Sequence, residues 1–359
     1  MNINSLFKIE NAYVAGKKYK FLILFGFKIN ISFLSKFKSK EKPFMINQYY
    51  GKIYYPPYYG GQIRGDKPEI YNKNGELMNV FFIRDSNLAH CPYDYKSKYF
   101  LWDRYNFALD THFYTGIHIN ETMAKPLRKF ALLIEPREIE PHSYKLFEMY
   151  KGINKEFDKV LSCDEKLLDD LDNAFFFNYA ATIWCYQYGD TQQASIKTYE
   201  QKSKNLSMIC SGKTLTELHK IRNHIADEMI KFKQMGGGID LFGAYFNKPF
   251  DFKSKPLTEY RYQIVVENNT SKFGFTEKIL DCFISMCVPI YLGASDIGKF
   301  FNIDGIIVLK FDDINKIENI IKQCNKQDYE NRLEAIKDNY QRSLKYLNVD
   351  DRMFEELFK

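Results

Sequence analysis

Short apolar runs alternate with stretches of helical spacing along most of this chain. In the first half, "NVFFI" at 79–83, "KFALLI" at 129–134 and "KVLS" at 159–162 have the length and continuity of buried strands. The leucine-spaced segment 163–173 predicts a short helix. The second half repeats the alternation more clearly. Strands are predicted at 206–210, 239–243, 262–266, 288–293 and 305–310. One helix is predicted over 214–235, stopping at Gly236, Gly237 and Gly238, and another begins at Glu277. Two helical stretches close the chain.

This alternation predicts an α/β protein of two Rossmann-like, doubly wound domains facing each other across a cleft. The glycine- and tyrosine-rich piece "YYGKIYYPPYYGGQIRGDKP" at 49–68 reads as loop, and the polar stretch from Tyr188 to Asn205 breaks the pattern. The expected organisation is a basic segment over 1–45, a first domain over 46–200 and a second over 201–359.

Composition narrows the class. With 359 residues and 45% hydrophobic content, the chain can bury two cores and is not disordered. Its seven cysteines stand singly with no CxxC pair, which excludes a zinc knuckle or disulfide framework and predicts a reducing, cytoplasmic setting. No apolar run approaches the roughly 20 residues of a membrane span, and the opening lacks the pattern of a signal peptide. The 27 Tyr and 31 Phe suit a carbohydrate site, but a compositional bias shared with Lys, Asn and Ile explains them better.

The net charge of +6 is concentrated near the start, at Lys17, Lys18, Lys20, Lys28, Lys36, Lys38, Lys40 and Lys42. Alternation about Gly26 in "FLILFGFKINISFL" predicts a hairpin there. Two readings stay open: peripheral contact with an anionic membrane at its inner face, or an ordinary edge hairpin with solvated lysines. Nucleic acid is not expected as a partner, because no basic stretch coincides with a binding module.

The densest pattern is "VVENNTSKFGFTEKILDCFISMCVPIYLG" at 265–293. Thr276 is a good N-cap for the helix from Glu277, and Ile279, Leu280, Phe283, Ile284 and Cys287 form its apolar face. Lys278 then falls in the first helical turn, at the positive end of the dipole. A bound diphosphate would remove that conflict, as would pairing with Glu277 or Asp281.

These residues resemble the donor-binding motif of the α1,3/α1,4-fucosyltransferase family, the tenth glycosyltransferase family. Glu267-Asn268, Thr276-Glu277-Lys278 and Val288-Pro289-Ile290 through Gly293 match it in order and spacing. The resemblance implies a GT-B fold and an inverting glycosyltransferase. It would move L-fucose from GDP-fucose to a hydroxyl of an acceptor glycan, of surface-polysaccharide or lipopolysaccharide type. No metal or other cofactor is implied. By the same resemblance Lys278 neutralises the donor phosphates, Glu277 accepts from ribose hydroxyls, and Asn268 fixes the ribose–phosphate region. Arg222 in "LHKIRNHIADEM" matches the family's phosphate-binding arginine; its plainer reading is an exposed arginine paired with Asp227. Thr276, Glu267, Gly274 and Phe275 complete the expected donor contacts. Gly274, flanked by Phe273 and Phe275, stands where the family carries a tyrosine, which leaves the donor sugar open.

The implied general base is Glu135, directly after the run 129–134, with Glu138, Glu140 and His142 close by. The D-x-D triplet Asp170-Leu171-Asp172 falls in a leucine-spaced helix, which weighs against a metal-dependent enzyme of the other major glycosyltransferase fold. Two alternatives remain: the same fold with another nucleotide sugar, and a non-catalytic nucleotide-sugar or glycan-binding protein.

Overall fold

The computed structural model describes residues 7–14, 17–24, 27–30, 79–85, 97–104, 106–122, 124–181 and 195–359. The loop expected over 49–68 lies outside these residues. So do Lys36, Lys38, Lys40, Lys42 and residues 188–194 of the polar stretch from Tyr188. The chain divides into two compact units, Met1–Phe177 with Met353–Lys359, and Asn178–Arg352.

The first unit opens with β1 (Phe7–Val14), β2 (Lys17–Leu24) and β3 (Phe27–Asn30), an antiparallel sheet in that order. The hairpin predicted about Gly26 is the β2–β3 pair, with Leu24 opposite Phe27. β4 (Asn79–Arg84), β5 (Phe100–Asp103), β6 (Thr111–Thr115) and β7 (Arg128–Leu132) follow, then α1 (Pro141–Met149), β8 (Lys159–Ser162), α2 (Glu165–Asp170) and β9 (Ala174–Phe176). β4 to β9 form one parallel sheet, ordered β5-β4-β6-β7-β8-β9.

Alternation along β4 shows why both faces of this sheet are covered. Val80 and Phe82 join Tyr114, Ala131, Val160 and the α1 residues Tyr144 and Phe147 in one cluster. Phe81 points the other way, with ring centroids 4.6 Å from Phe100, 6.2 Å from Phe354 and 5.2 Å from Phe358. The last residues of the chain thus complete the core of the first unit.

The second unit contains β10 (Lys204–Ile209), α3 (Glu217–Gln234), β11 (Ile239–Phe242), β12 (Tyr260–Val266), α4 (Glu277–Ile284), β13 (Val288–Leu292) and β14 (Ile307–Val308). It closes with α5 (Ile317–Gln323), α6 (Lys326–Asn331), α7 (Leu333–Ser343) and the start of α8 (Val349–Phe358). Its parallel sheet is ordered β11-β10-β12-β13-β14. Ile264 and Val266 pack on the face that carries Leu218, Ile225 and Met229 of α3. Val265 packs on the other, with Ile279, Leu280 and Phe283 of α4.

The α/β class expected from the sequence is therefore found, with one parallel sheet in each unit. In both, the first strand of the sheet is internal, with the second on one side and the third on the other. The winding reverses there, which makes a topological switch point. No helix among the described residues is long and apolar enough to cross a membrane.

Candidate active site

In the second unit the winding reverses between β10 and β12, and the residues just past their carboxyl ends carry most of the candidate chemistry. β12 ends at Val266 and is followed by Glu267 and Asn268. Glu267 is buried, but its carboxylate is well supplied with donors. It accepts from the Thr276 backbone N–H at 2.9 Å, from Thr276 Oγ1 at 2.6 Å and from Lys278 Nζ at 3.4 Å. Gly293, the last residue of the motif, leaves room for it: a Cβ there would stand 2.5 Å from Glu267 Cγ. The spacing from Glu-Asn to Thr-Glu-Lys to Gly is thus the footprint of one buried carboxylate.

Thr276 caps α4 as predicted, its hydroxyl accepting from the Lys278 N–H at 3.3 Å. Lys278 Nζ also reaches Thr276 Oγ1 at 2.9 Å and Glu277 at 3.5 Å, and its side chain is 22% exposed. Burial opposes its charge, but Glu277 and Glu267 outweigh burial and raise its pKa. The dipole conflict at this lysine is therefore met within the protein by two carboxylates. Burial likewise opposes ionisation of Glu277, yet Lys278 and Lys253 hold its pKa down to about 2. Lys253 lies 3.8 Å from Glu277 and 3.0 Å from Asp281, whose own pKa burial pushes up to about 7.

Arg222 behaves differently. It is only 6% exposed, so it is not the exposed arginine of the plainer reading, and Asp227, the partner expected in that reading, accepts from the Tyr245 hydroxyl at 2.7 Å. Arg222 Nη2 donates to Ser211 Oγ, just beyond β10, at 3.1 Å. Its Nε has no hydrogen-bond partner, and no carboxylate among the described residues pairs with it. Its charge is felt by Lys278 and by His219, so these groups share one neighbourhood.

His219 sits one turn before Arg222 on α3. Its Nδ1 is 3.2 Å from the Thr216 N–H and its Nε2 is 3.1 Å from Asn268 Oδ1. Burial, then Arg222, lowers its pKa to about 4, against the opposing bond to Asn268. Hydrophobic periodicity does not single out this histidine. The signal that could have found it is its position three residues after an N-cap threonine, where a capping box closes.

Two expected donor contacts lie differently. Phe275 is buried against Phe300, Phe301 and Tyr346, at centroid distances of 5.1, 5.3 and 5.4 Å, so its ring belongs to the core. The Gly274 N–H donates to Ser271 Oγ at 2.8 Å, which closes the loop on itself.

Glu135 belongs to the first unit, in the turn between β7 and α1. The Tyr144 hydroxyl donates to its backbone carbonyl at 2.7 Å. Arg137 in the same turn donates to both Asp164 oxygens at 2.8 and 3.1 Å, and lies 4.7 Å above the Tyr144 ring. These bonds fix the backbone that carries Glu135. Glu140 lies against Gly116, where a Cβ would meet its Oε1 at 2.8 Å, while Glu138 and His142 are exposed. Asp170 ends α2 paired with Lys166, and Asp172 accepts from Asn154 Nδ2 at 3.1 Å.

The second unit is thus a doubly wound α/β unit whose switch point carries a buried, carboxylate-free guanidinium beside a lysine and a carboxamide. Such a place suits an anion. No protein-family model matches the chain, and no curated protein matches it. Among solved structures it is similar to an alpha1,3-fucosyltransferase with GDP, at 16% identity and a TM-score of 0.46, covering 80% of this chain and 91% of that one. It is also similar to Anabaena Alr3699/HepE in complex with UDP-glucose, at 9% identity and a TM-score of 0.42, covering 64% and 71%. A trehalose-6-phosphate synthase studied with bisubstrate glycomimetics gives 9% identity and a TM-score of 0.46, covering 69% and 72%. At such identities and scores, these likenesses fix no chemistry for this chain.

Proposed function

We propose that this chain is a glycosyltransferase that holds a nucleoside diphosphate sugar at the switch point of its second unit. The observation that carries this reading is Arg222, a buried guanidinium with one neutral hydrogen bond and an unpartnered Nε. A buried charge left this way costs stability unless something anionic binds it. A diphosphate supplies the missing acceptors in the planar geometry that a guanidinium matches. Lys278 adds a second cation, and Glu277, held ionised, can accept from ribose hydroxyls.

The finer reading follows the motif: inverting transfer of L-fucose from GDP-fucose to an acceptor glycan. Glu135 takes the proton of the acceptor hydroxyl, and that oxygen forms its bond to the anomeric carbon. The bond from that carbon to the diphosphate oxygen breaks with inversion. Arg222 and Lys278 stabilise the charge gained by the departing GDP. Gly274, which lacks the hydroxyl of the family's tyrosine, favours a second reading in which the sugar or nucleotide differs.

Calorimetric titration of the full chain with GDP and UDP tests both. Binding of GDP in preference to UDP is the expected result; preference for UDP selects the second reading, and binding of neither overturns both. Replacing Glu135 by Gln is expected to reduce transfer by roughly 10²–10⁴-fold, the usual contribution of a general base, with GDP affinity unchanged. Full activity in that variant would remove Glu135 from the role.

A further inference from the structure

His219 occupies the third position of α3, where a glutamate or glutamine ordinarily closes the capping box. Here the imidazole does so. Thr216 Oγ1 accepts from the His219 backbone N–H at 3.1 Å, and the Thr216 N–H meets His219 Nδ1 at 3.2 Å. A backbone amide can only donate, so Nδ1 carries no proton. The single N–H of the neutral ring is therefore on Nε2, which faces Asn268 at 3.1 Å. The atom that it meets must accept, and this fixes the carboxamide with Oδ1 toward the histidine. Asn268 Nδ2 is then turned away, and it bonds to no other described residue.

We propose that His219 is a positioning residue that locks the Asn268 carboxamide with its NH₂ group offered as a hydrogen-bond donor to the bound nucleotide diphosphate. The inference rests on the nucleotide reading above. An asparagine free to rotate presents either a donor or an acceptor with nearly the same shape. Next to a diphosphate, which only accepts, the acceptor orientation would repel. With the carboxamide fixed, Arg222, Lys278 and Asn268 all offer protons. The depressed pKa of His219 fits this role, because a ring protonated on Nδ1 would lose the bond from Thr216. The lock joins the helix cap of α3 to the second residue after β12, two elements that meet at the switch point.

Two measurements on the full chain test it. Long-range ¹H–¹⁵N spectra of the wild type near neutral pH are expected to show His219 as the Nε2–H tautomer. GDP titrations compare the wild type with His219→Ala and His219→Gln. The alanine variant is expected to bind GDP about 3–10-fold more weakly, the size of one lost neutral hydrogen bond. Glutamine has a carbonyl for the Thr216 N–H and an NH₂ for Asn268, so it is expected to stay within about 2-fold of the wild type. Equal GDP affinity in wild type and His219→Ala, or an Nδ1–H tautomer, would overturn the lock and leave the nucleotide reading standing. Failure of the wild type to bind GDP would overturn both. Should the alanine variant not fold, the tautomer still decides.

Discussion

Each unit buries an arginine near the carboxyl ends of its parallel strands, and the two are treated in opposite ways. Arg104 follows β5, is 8% exposed, and is closed by Asp85, which follows β4. Its Nε lies 3.2 and 3.1 Å from the two carboxylate oxygens and its Nη2 lies 2.9 Å away. Arg222 is equally buried but faces a serine hydroxyl. Both leave one guanidinium nitrogen without a hydrogen bond, but only the first has its counter-charge inside the protein. A buried arginine is therefore no signal by itself, and what distinguishes a binding position is the absence of its counter-charge.

The comparison can be broken in three ways. The largest effect is expected from Asp85→Ala, which strands Arg104 in the interior. Removing one partner of a buried pair costs about 3–5 kcal/mol, read as loss of unfolding free energy in denaturant titration. Arg222→Ala is expected to do the reverse. Folding stability of the ligand-free chain is expected to hold or rise, because an uncompensated buried charge is removed, while GDP binding weakens by about 1.5–3 kcal/mol, the range for a charged hydrogen bond. An Arg222→Ala variant that is less stable than the wild type yet binds GDP with unchanged affinity when folded would overturn the contrast between the two arginines.

The smallest effect concerns Asp281, beside Lys253. Burial raises its folded-state pKa to about 7, above the ordinary carboxylate value, so the folded state holds this proton more tightly than the unfolded state. The stability contributed is full at low pH and is lost as pH rises through about 7. Asp281→Asn removes this dependence. Between about pH 5 and 8 the stability difference is expected to move in favour of the variant by about 1–3 kcal/mol, and parallel curves would contradict the assignment.

Much of the second unit was legible because its strands are apolar runs and its helices are bounded by recognisable ends. Thr276 caps α4 where predicted, and Gly236 follows α3 with φ +91°. The first unit was harder to read. β6 is wholly buried, yet its sequence "THFYT" carries Thr111, His112 and Thr115, so no continuous apolar run betrays a central strand. His112 is accommodated by a 3.1 Å bond to the Tyr114 hydroxyl, a contact invisible in the pattern. β9 has only three residues at the sheet edge, and α1 begins on a proline that reads equally well as loop. The strand expected at 305–310 shrinks to Ile307–Val308, and the closing region divides into four helices where two stretches were expected.

The site was legible where it is linear. The residues from Glu267 to Gly293 could be found together because one carboxylate organises them. Arg222 was found by the motif, but the sequence could not reveal that Asp227 is occupied by Tyr245. Lys253 was missed altogether: it contacts Glu277 and Asp281 from a distant loop, and no periodicity links them.

The placement of Met353–Lys359 bears on how the molecule is made. Phe354 stacks with Phe81 and Phe100, and Phe358 lies tilted against Phe81, so the sheet translated first lacks part of one apolar wall until the residues after 352 have emerged. During synthesis the later unit can reach its full complement of residues while the earlier one still exposes aromatic surface. The core of the unit made first is therefore the one that waits for residues 353–359 to be completed.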